Sequence, residues 1–454
     1  MANKASAVKR AHGEIQMTQG SLWKNMFLFS IPLMLSQLLE VMFNISDVAI
    51  VGKFADYRAL GSVGSTTLLV SLFIGFLIGM GSGVNVRVAH MLGSDDSKAV
   101  GETIHTSFII CLSVGLIICA VCVFGAEWML SILHTKPELI DGAIMYLRIY
   151  AIGLPGMAIY NWGNGILSAR GETTRPLIYL AISGTLNVIL NLFFVIKCHR
   201  AADGVAMASA ISQYVSAALI LIHLLHRNDA CRFTPSHIRF HKNAAVRVLA
   251  LGLPAGLQNA IFAIANLFVQ TGVNSFDEIM VSGNSAASNA DTIIFNVLAA
   301  FYTACATFAG QNLGARNRKR VLKSYLVSLT YATAAALILG IILILSGREF
   351  LSLFTSKGAV IDAGMERIGI MWFSFAVAPL MDCTISASRG IGKSLVPTII
   401  VIMGSCVFRV IWVYTIFAYF HTIPSLYLLY IFSWFITAVA EIIYFIHSYR
   451  KITF

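Results

Sequence analysis

Long apolar runs separated by short polar links occupy almost the whole of this 454-residue chain. A helix needs about 20 consecutive apolar residues to cross the hydrocarbon core of a bilayer. Twelve runs are long enough, and we predict that each forms one membrane-spanning helix. The runs are residues 26–50, 60–86, 103–125, 142–168, 177–197, 204–226, 246–272, 290–312, 324–346, 365–388, 396–419 and 424–448.

Composition agrees with this pattern, because 57% of the residues are apolar, only 12% are charged and the mean hydropathy is +0.79. A soluble protein of this length needs far more polar surface, so we predict an all-α polytopic membrane protein. The first run is too long for a cleavable secretory signal and lacks a processing site, so we expect it to remain as the first span.

Lysine and arginine collect on one side of the predicted membrane. An even number of spans puts both termini on the same side, and 22 of the 32 basic residues fall in tails or links on that side. Because basic residues concentrate in cytoplasmic segments, we predict that both termini face the cytoplasm. The formal net charge of +11 is therefore a topology signal with some attraction to anionic headgroups, and it does not indicate nucleic-acid binding.

The two halves of the chain follow one plan, since three pairs of landmarks recur at offsets of about 220 residues. The pairs are Pro32 with Pro254, "VAHMLG" (88–93) with "FAGQNLG" (308–314), and Arg170-Gly171 with Arg389-Gly390. A duplicated six-span unit gives two like-oriented bundles around a central cleft, an architecture that suits alternating access. The predicted segments are a cytoplasmic tail (1–25), a first bundle (26–226), a basic linker (227–245), a second bundle (246–448) and a cytoplasmic tail (449–454).

Four glycines recur in the second run, at Gly75, Gly79, Gly81 and Gly83. Small residues at such spacing let membrane helices approach closely, and we predict a helix contact there. A hinge is the alternative interpretation.

Four polar residues interrupt the first run: Gln37, Glu40, Asn44 and Asp47. Spacings of three, four and three residues place them within an arc of about 80° on one helix face. An acid at membrane depth costs roughly 2.5 to 3.5 kcal/mol even on insertion scales, so it usually faces a cavity or a partner. We predict that Gln37 and Asn44 line a substrate cavity. We assign Asp47 and Glu40 to a coupling-ion site, because we assign the lysines and arginines of the first half to tails and links and none of them to a span.

The four residues Gln37, Glu40, Asn44 and Asp47 form a polar stripe on the first run. The second half has counterparts of the two amides of this stripe but not of its two acids. At an offset of 222 residues, Asn259 and Asn266 correspond to the two amides, and we assign both to the substrate cavity. Phe262 and Val269 correspond to the two acids. A cation or proton site confined to the first bundle explains this difference.

Three further polar residues of the first half provide candidate oxygen ligands. Asn187 and Asn191 lie one helical turn apart in the fifth run, and Ser209 lies in the sixth. With Asp47 they form the oxygen-rich set that a hard cation such as Na⁺ requires, and we assign them to the same H⁺ or Na⁺ site. Hydrogen bonding between helices is the alternative role for these residues. Apart from Na⁺, we expect no metal or cofactor.

Buried charges in the second half are fewer. Asp382 lies in the tenth run and Arg409 in the eleventh, and Arg409 is the single basic residue that we assign to a span. These two residues either pair with each other or leave Asp382 facing the substrate cavity. Glu441, near the cytoplasmic end of the last run, is expected to snorkel or to pair there.

Several motifs in fixed order resemble the multidrug and toxic compound extrusion (MATE) family. They are the early proline of the first run, "NISDVAIVG" (44–52), "GQNLGA" (310–315) and "RGIGKS" (389–394). The resemblance covers essentially the whole chain and implies a bacterial efflux transporter of the inner or plasma membrane. The family consists of secondary antiporters that expel organic cations, and sometimes other amphipathic compounds, against an inward flow of Na⁺ or H⁺.

Carried over by position, the resemblance implies that Asp47 is the coupling acid, with Asn187, Asn191 and Ser209 near it. Some relatives have Asp where this chain has Asn191. Asp382, in "PLMDCT", matches an acid in the tenth span of the NorM-like branch.

That branch also has a glutamate in the seventh span, eight residues after its proline, where this chain has Phe262. Glu40 lies eight residues after Pro32, which is the pseudo-symmetric place. Our hypothesis is that the missing acid has moved across the duplication.

Other transporters and enzymes fit the chain less well. A lipid-linked oligosaccharide flippase of the same superfamily is the nearest alternative, but it would line the cleft with several basic residues. A major-facilitator carrier would have a Gly- and Arg-rich loop after the second span, which this chain lacks. We predict no enzyme, because no nucleophile–base pair or metal cluster stands at membrane depth. We expect the protein to act as a monomer.

Overall fold

A computed structural model of the chain describes residues 15–453. Three of the basic residues from which the orientation was predicted, Lys4, Lys9 and Arg10, lie outside the described residues. All regular secondary structure in the described part is helical, as predicted. The helices are α1 (Leu22–Phe54), α2 (Tyr57–Gly93), α3 (Ser97–Ile132), α4 (Pro137–Arg170), α5 (Thr174–Lys197), α6 (Ala202–Leu225), α7 (Lys242–Val273), α8 (Glu278–Gly314), α9 (Arg318–Ser352), α10 (Gly358–Met371), α11 (Ser374–Gly390), α12 (Leu395–Phe420) and α13 (Ile423–Arg450).

These helices supply the twelve predicted spans. Eleven of the helices in residues 15–453 are long and apolar enough to cross a bilayer alone. The twelfth span is the pair α10 and α11, which meet at a bend of 50°. Sequence periodicity predicted one continuous run there. The break at Trp372 and Phe373 therefore depends on local geometry that hydropathy does not record.

Short polar side chains begin several of the helices. Asp96, Asp277 and Asn317 accept hydrogen bonds from backbone N–H groups three residues on, at 2.9 to 3.1 Å, and so begin α3, α8 and α9. Gly171 ends α4 with a φ of +97°, a left-handed conformation that glycine adopts without a Cβ clash. These caps set where each of these helices begins or ends.

The two bundles meet along α2 and α7, which run antiparallel. A Cβ on Gly79 would overlap the backbone of Gly256, and a Cβ on Gly83 would overlap that of Gly252. An ideal Cβ placed on Gly75 would lie 3.2 Å from the Cβ of Asn259. The predicted close helix contact is therefore confirmed, and glycine is required because the backbones themselves touch.

Contacts between the bundles lie toward the end of the molecule where α2, α4, α8 and α11 finish. His90 Nε2 lies 2.6 Å from the Gly390 carbonyl oxygen, and Gln311 donates a hydrogen bond of 2.6 Å to the Ala169 carbonyl. In the opposite half of α2, an ideal Cβ on Gly64 has no atom of another helix within 4 Å. The cleft is thus closed at this end, where α2 and α7 pack against each other from Gly83 to Gly75.

A segment at the start of the described chain, residues 15–20, crosses the closed end and contacts both bundles. Arg320 of α9 donates to the carbonyls of Met17, Gln19 and Gly20 at 2.8 to 3.0 Å. On the other side, the Ile15 N–H donates to the carbonyl of Gly171 at 3.3 Å. This segment therefore ties the first bundle to the second.

The linker between α6 and α7 folds onto the first bundle through an ion network. Arg227 donates to Glu172 at 2.8 Å and also to Asp229. Burial raises the pKa of Glu172, but the hydrogen bond from His223 and the charge of Arg227 outweigh burial and hold that pKa at about 2. The same network lowers the pKa of Asp229.

Candidate ion and substrate site

Asp47 lies in a hydrogen-bonded network made by three helices of the first bundle. Asn191 of α5 donates to Asp47 Oδ1 at 2.5 Å, and Ser209 of α6 donates to Asp47 Oδ2 at 3.4 Å. Asn187 joins them by donating to Ser209 at 3.3 Å and by accepting from Asn191 at 3.1 Å. The structure thus brings together four of the five residues that we assigned to the coupling-ion site.

Two features of this network suit a small cation. No basic side chain lies within ion-pair distance of Asp47 among residues 15–453. The Oδ1 atom of Asn191 is buried and has no hydrogen-bond partner in the described chain. A buried acceptor of this kind costs free energy unless an ion, a proton donor or water satisfies it.

The network opens into a cavity of about 370 Å³ within the first bundle. Its wall includes Glu40, Asn44 and Asp47 of α1 together with Asn187 and Ser209. Sequence reasoning did not assign several other polar residues of the wall. They are Thr66, Thr67, Ser71, Tyr146, Tyr150, Tyr160, Asn161, Ser183, Ser212, Gln213 and Ser216. These residues come from α2, α4, α5 and α6, and no periodicity within one helix relates them.

Glu40 connects this cavity to a second one between the bundles. The second cavity measures about 100 Å³ and is lined by Gln37 and Glu40 on one side and by Thr303 and Ala306 of α8 on the other. In the described residues, the Glu40 carboxylate has no ion-pair partner within 4 Å, and it reaches both spaces. The predicted stripe of α1 therefore faces cavities along its length.

The two amides of the second bundle have different surroundings. Asn259 donates to the Gly75 carbonyl at 2.9 Å and belongs to the contact between the bundles. Asn266 is exposed and accepts a hydrogen bond of 3.1 Å from Arg409. Neither amide lines one of the two cavities described above.

The acids of the second bundle differ from expectation in their partners. Asp382 and Arg409 interact electrostatically but form no ion pair within 4 Å in the described residues, so direct pairing was wrong. Glu441 is fully buried, and neither of its carboxylate oxygens has a hydrogen-bond partner in residues 15–453, so it does not snorkel. The reason is that Glu441 faces α11, where Arg389 and Asp382 interact with it electrostatically without forming an ion pair within 4 Å in the described residues.

Arg409 is also not the single basic residue within a helical span. Arg87 lies inside α2, and Arg367 lies inside α10, where it is 4% exposed. Arg367 pairs with Asp291 of α8 through two hydrogen bonds. Hydropathy missed this pair because each residue falls at the edge of an apolar run, where a charge is usually read as belonging to a link.

A family model described as MatE matches residues 32–193 and 254–415, one match in each half of the chain. Probable multidrug resistance protein YpnP of Bacillus subtilis is 27% identical over 358 residues, which is 79% of this chain and 80% of that protein. A solved structure of a MOP superfamily transporter from Pyrococcus furiosus matches with a TM-score of 0.91 and 21% sequence identity. The match covers 98% of this chain and 100% of that chain.

A second solved structure, an outward-facing multidrug resistance MATE family transporter, has a TM-score of 0.90 at 21% identity. This match covers 97% of the present chain and 99% of that transporter's chain. At these identities the structural likeness establishes the fold, whereas the family model places both halves of the sequence in one known family. The family is one of membrane transporters and is not an enzyme class.

Proposed function

Because the chain belongs to the MATE family of multidrug extrusion transporters, we propose that it exports organic cations and other amphipathic compounds in exchange for H⁺ or Na⁺. The protein is a multi-pass membrane transporter. In our proposal it works as a monomer in the bacterial inner or plasma membrane, with both termini in the cytoplasm.

One observation carries the proposal: the Asp47 carboxylate is held by Asn191 and Ser209, without a basic partner in the described chain, beside a cavity of about 370 Å³. A carboxylate removed from water must be neutralised by a proton or a cation. Because the neutralising species comes from solution, its occupancy responds to its concentration on each side of the membrane. The site is therefore suited to coupling.

Glu40 extends this argument to the substrate. Glu40 and Asp47 are separated by about 10.5 Å along α1 at 1.5 Å per residue, too far to share one proton but close enough to interact through a low dielectric. A cationic substrate near Glu40 weakens the binding of H⁺ or Na⁺ at Asp47, and the ion weakens the binding of the substrate. Such competition, combined with opening of the cleft on alternate sides, produces antiport.

The test is transport of ethidium by the purified protein in liposomes, with a Na⁺ gradient and a pH gradient imposed one at a time. We expect one of the two gradients to drive uptake against the ethidium gradient. In the variant Asp47→Asn we expect gradient-driven transport to fall by roughly tenfold or more, since one charge-assisted interaction with the ion is worth about 1.5–3 kcal/mol.

Asp141→Asn is the matched control, because it removes the same charge from an exposed position of α4. Transport by this variant should equal that of the unmodified protein. Unchanged ethidium transport and unchanged ion dependence in Asp47→Asn would refute the proposal.

A further inference from the structure

Arg409 of α12 is a buried cation whose surroundings are aromatic. It is 2% exposed, and its guanidinium carbon lies 4.7 Å from the ring centroid of Tyr430 and 5.6 Å from those of Trp434 and Phe262. These are cation–π distances. In residues 15–453 no carboxylate lies within 4 Å of the guanidinium, and Asp382 acts on it only from a greater distance.

Two of the three guanidinium nitrogens are held in place by hydrogen bonds. Nε donates to Ser433 at 3.4 Å, and Nη1 donates to Asn266 at 3.1 Å. Nη2 makes no hydrogen bond to any described residue. An arginine stays charged in proteins, so the site holds a permanent positive charge with a free pair of N–H donors.

The backbone of α12 is irregular on both sides of Arg409. A π-helical segment, Ile402–Val407, precedes the short α-helical stretch Phe408–Trp412, and a second π-helical segment, Val413–Phe417, follows it. π-helical segments are rare, and they occur frequently at functional sites because the extra residue redirects the side chains nearby. Two of them flank the five-residue stretch that carries Arg409.

Its hydrogen bond to Asn266 connects Arg409 to α7, the helix that meets the first bundle. Asn259, Phe262 and Asn266 are spaced three and four residues apart, so they share one face of α7. Asn259 bonds to the Gly75 carbonyl of α2, which shows that this face looks toward the first bundle. Two turns further from the closed end, Asn266 is exposed. This exposed side chain accepts a hydrogen bond from Arg409 Nη1 and so connects the arginine to that face.

We propose that Arg409 binds the carboxylate of an amphipathic substrate, with Nη2 as the free donor and Phe262 as an apolar surface for the substrate body. The cargo class is then an aromatic zwitterion, whose cationic group is balanced by the acids of the first bundle and whose carboxylate is balanced by Arg409. The inference rests on the proposed export function and narrows its substrate. Arginine is the residue whose planar donors match a carboxylate.

The test compares two dyes that differ in one group: a rhodamine with a free benzoate, which is a zwitterion, and its methyl ester, which is a cation. Binding to the purified protein is measured by fluorescence anisotropy, and gradient-driven transport is measured in liposomes. In Arg409→Gln we expect affinity for the free acid to fall roughly tenfold or more, as loss of a charge-assisted hydrogen bond predicts, while ester affinity changes less than about twofold.

A second variant keeps the arginine and guards against a folding defect. Asn266→Asp places a carboxylate beside Nη1, where it neutralises Arg409 from an exposed position. We expect it to weaken binding of the free acid and to spare the ester. Asn243→Asp, an exposed position at the other end of α7, is the matched control and should bind both dyes normally.

The outcomes separate this inference from the proposed function. An equal loss of both dyes in both variants, or no loss of the free acid in either, overturns the role of Arg409. If Arg409→Gln binds the ester normally and the free acid weakly, the role is supported. If selective binding is found but no gradient drives either dye, the carboxylate site stands and the antiport proposal fails.

Discussion

Replacing Gly79 with alanine tests whether the contact between α2 and α7 determines which side of the cleft is closed. A Cβ at this position would overlap the N and Cα atoms of Gly256, closer than real Cβ atoms approach the backbone. Both neighbours are backbone atoms of packed helices, so the helices must separate. Overpacking of this kind costs about 1–3 kcal/mol. If this cost falls only on the conformation in which α2 and α7 pack at the closed end, the equilibrium between that conformation and one open at this end shifts toward the open one by roughly 5- to 150-fold.

The shift can be measured by cysteine accessibility. Val86 lies between the bundles and is 1% exposed. A cysteine introduced by Val86→Cys becomes accessible only when the closed end opens, and the exposed Cys198 is changed to serine so that it does not react. In inverted vesicles a membrane-impermeant maleimide should label this cysteine faster when Gly79→Ala is added. Gly64→Ala is the matched control in the same helix, because its Cβ has no neighbour within 4 Å. Equal labelling rates in the two alanine variants would show that the glycine contact does not control opening.

Two further predictions concern buried ion pairs. The pKa of Glu172 is about 2 in the folded protein and lies below its ordinary value of 4.5, so its contribution to stability is complete above pH 4.5 and is lost as the pH falls toward 2. Glu172→Gln should remove this acid-dependent loss and lower thermal stability at neutral pH. Asp291→Asn leaves Arg367 buried without its partner and should cost about 3–5 kcal/mol. In contrast, Asp362→Asn breaks an exposed pair and should cost at most about 1 kcal/mol, as measured by thermal unfolding in detergent.

The path of the chain through the membrane was predictable because it depends on local composition. Each predicted run lies within a helix or the bent pair to within one residue, since an apolar stretch of about 20 residues has few alternatives to a helix in lipid. The duplication was also visible, as the two matches of the family model at 32–193 and 254–415 show. The bend between α10 and α11 was not predicted, because it changes no residue's hydropathy.

The candidate site was only partly predictable. Asp47, Asn187, Asn191 and Ser209 could be grouped because acids and amides are rare in apolar runs, and the structure places them in one network. Their role in ion coupling stays a prediction. The tyrosines around the cavity were not assigned to the site, because aromatic residues are common throughout membrane helices and only their position relative to Asp47 distinguishes them.

The partners of the charged residues in the second bundle were decided by tertiary structure. From sequence, Arg409 had Asp382 as its nearest candidate partner, whereas the fold surrounds it with Tyr430, Trp434 and Phe262 from two other helices. Glu441 was expected near the headgroups and is instead fully buried.

The sequence by itself therefore determined the number of spans, the duplication and the stripe of polar residues on α1, because each depends on spacing along one helix. Tertiary structure alone decided which bundle end is closed, where the cavities lie and which charge meets which ring. These properties depend on how helices distant in sequence rotate and pack against one another, and the packing is set by side-chain shapes that no single helix contains.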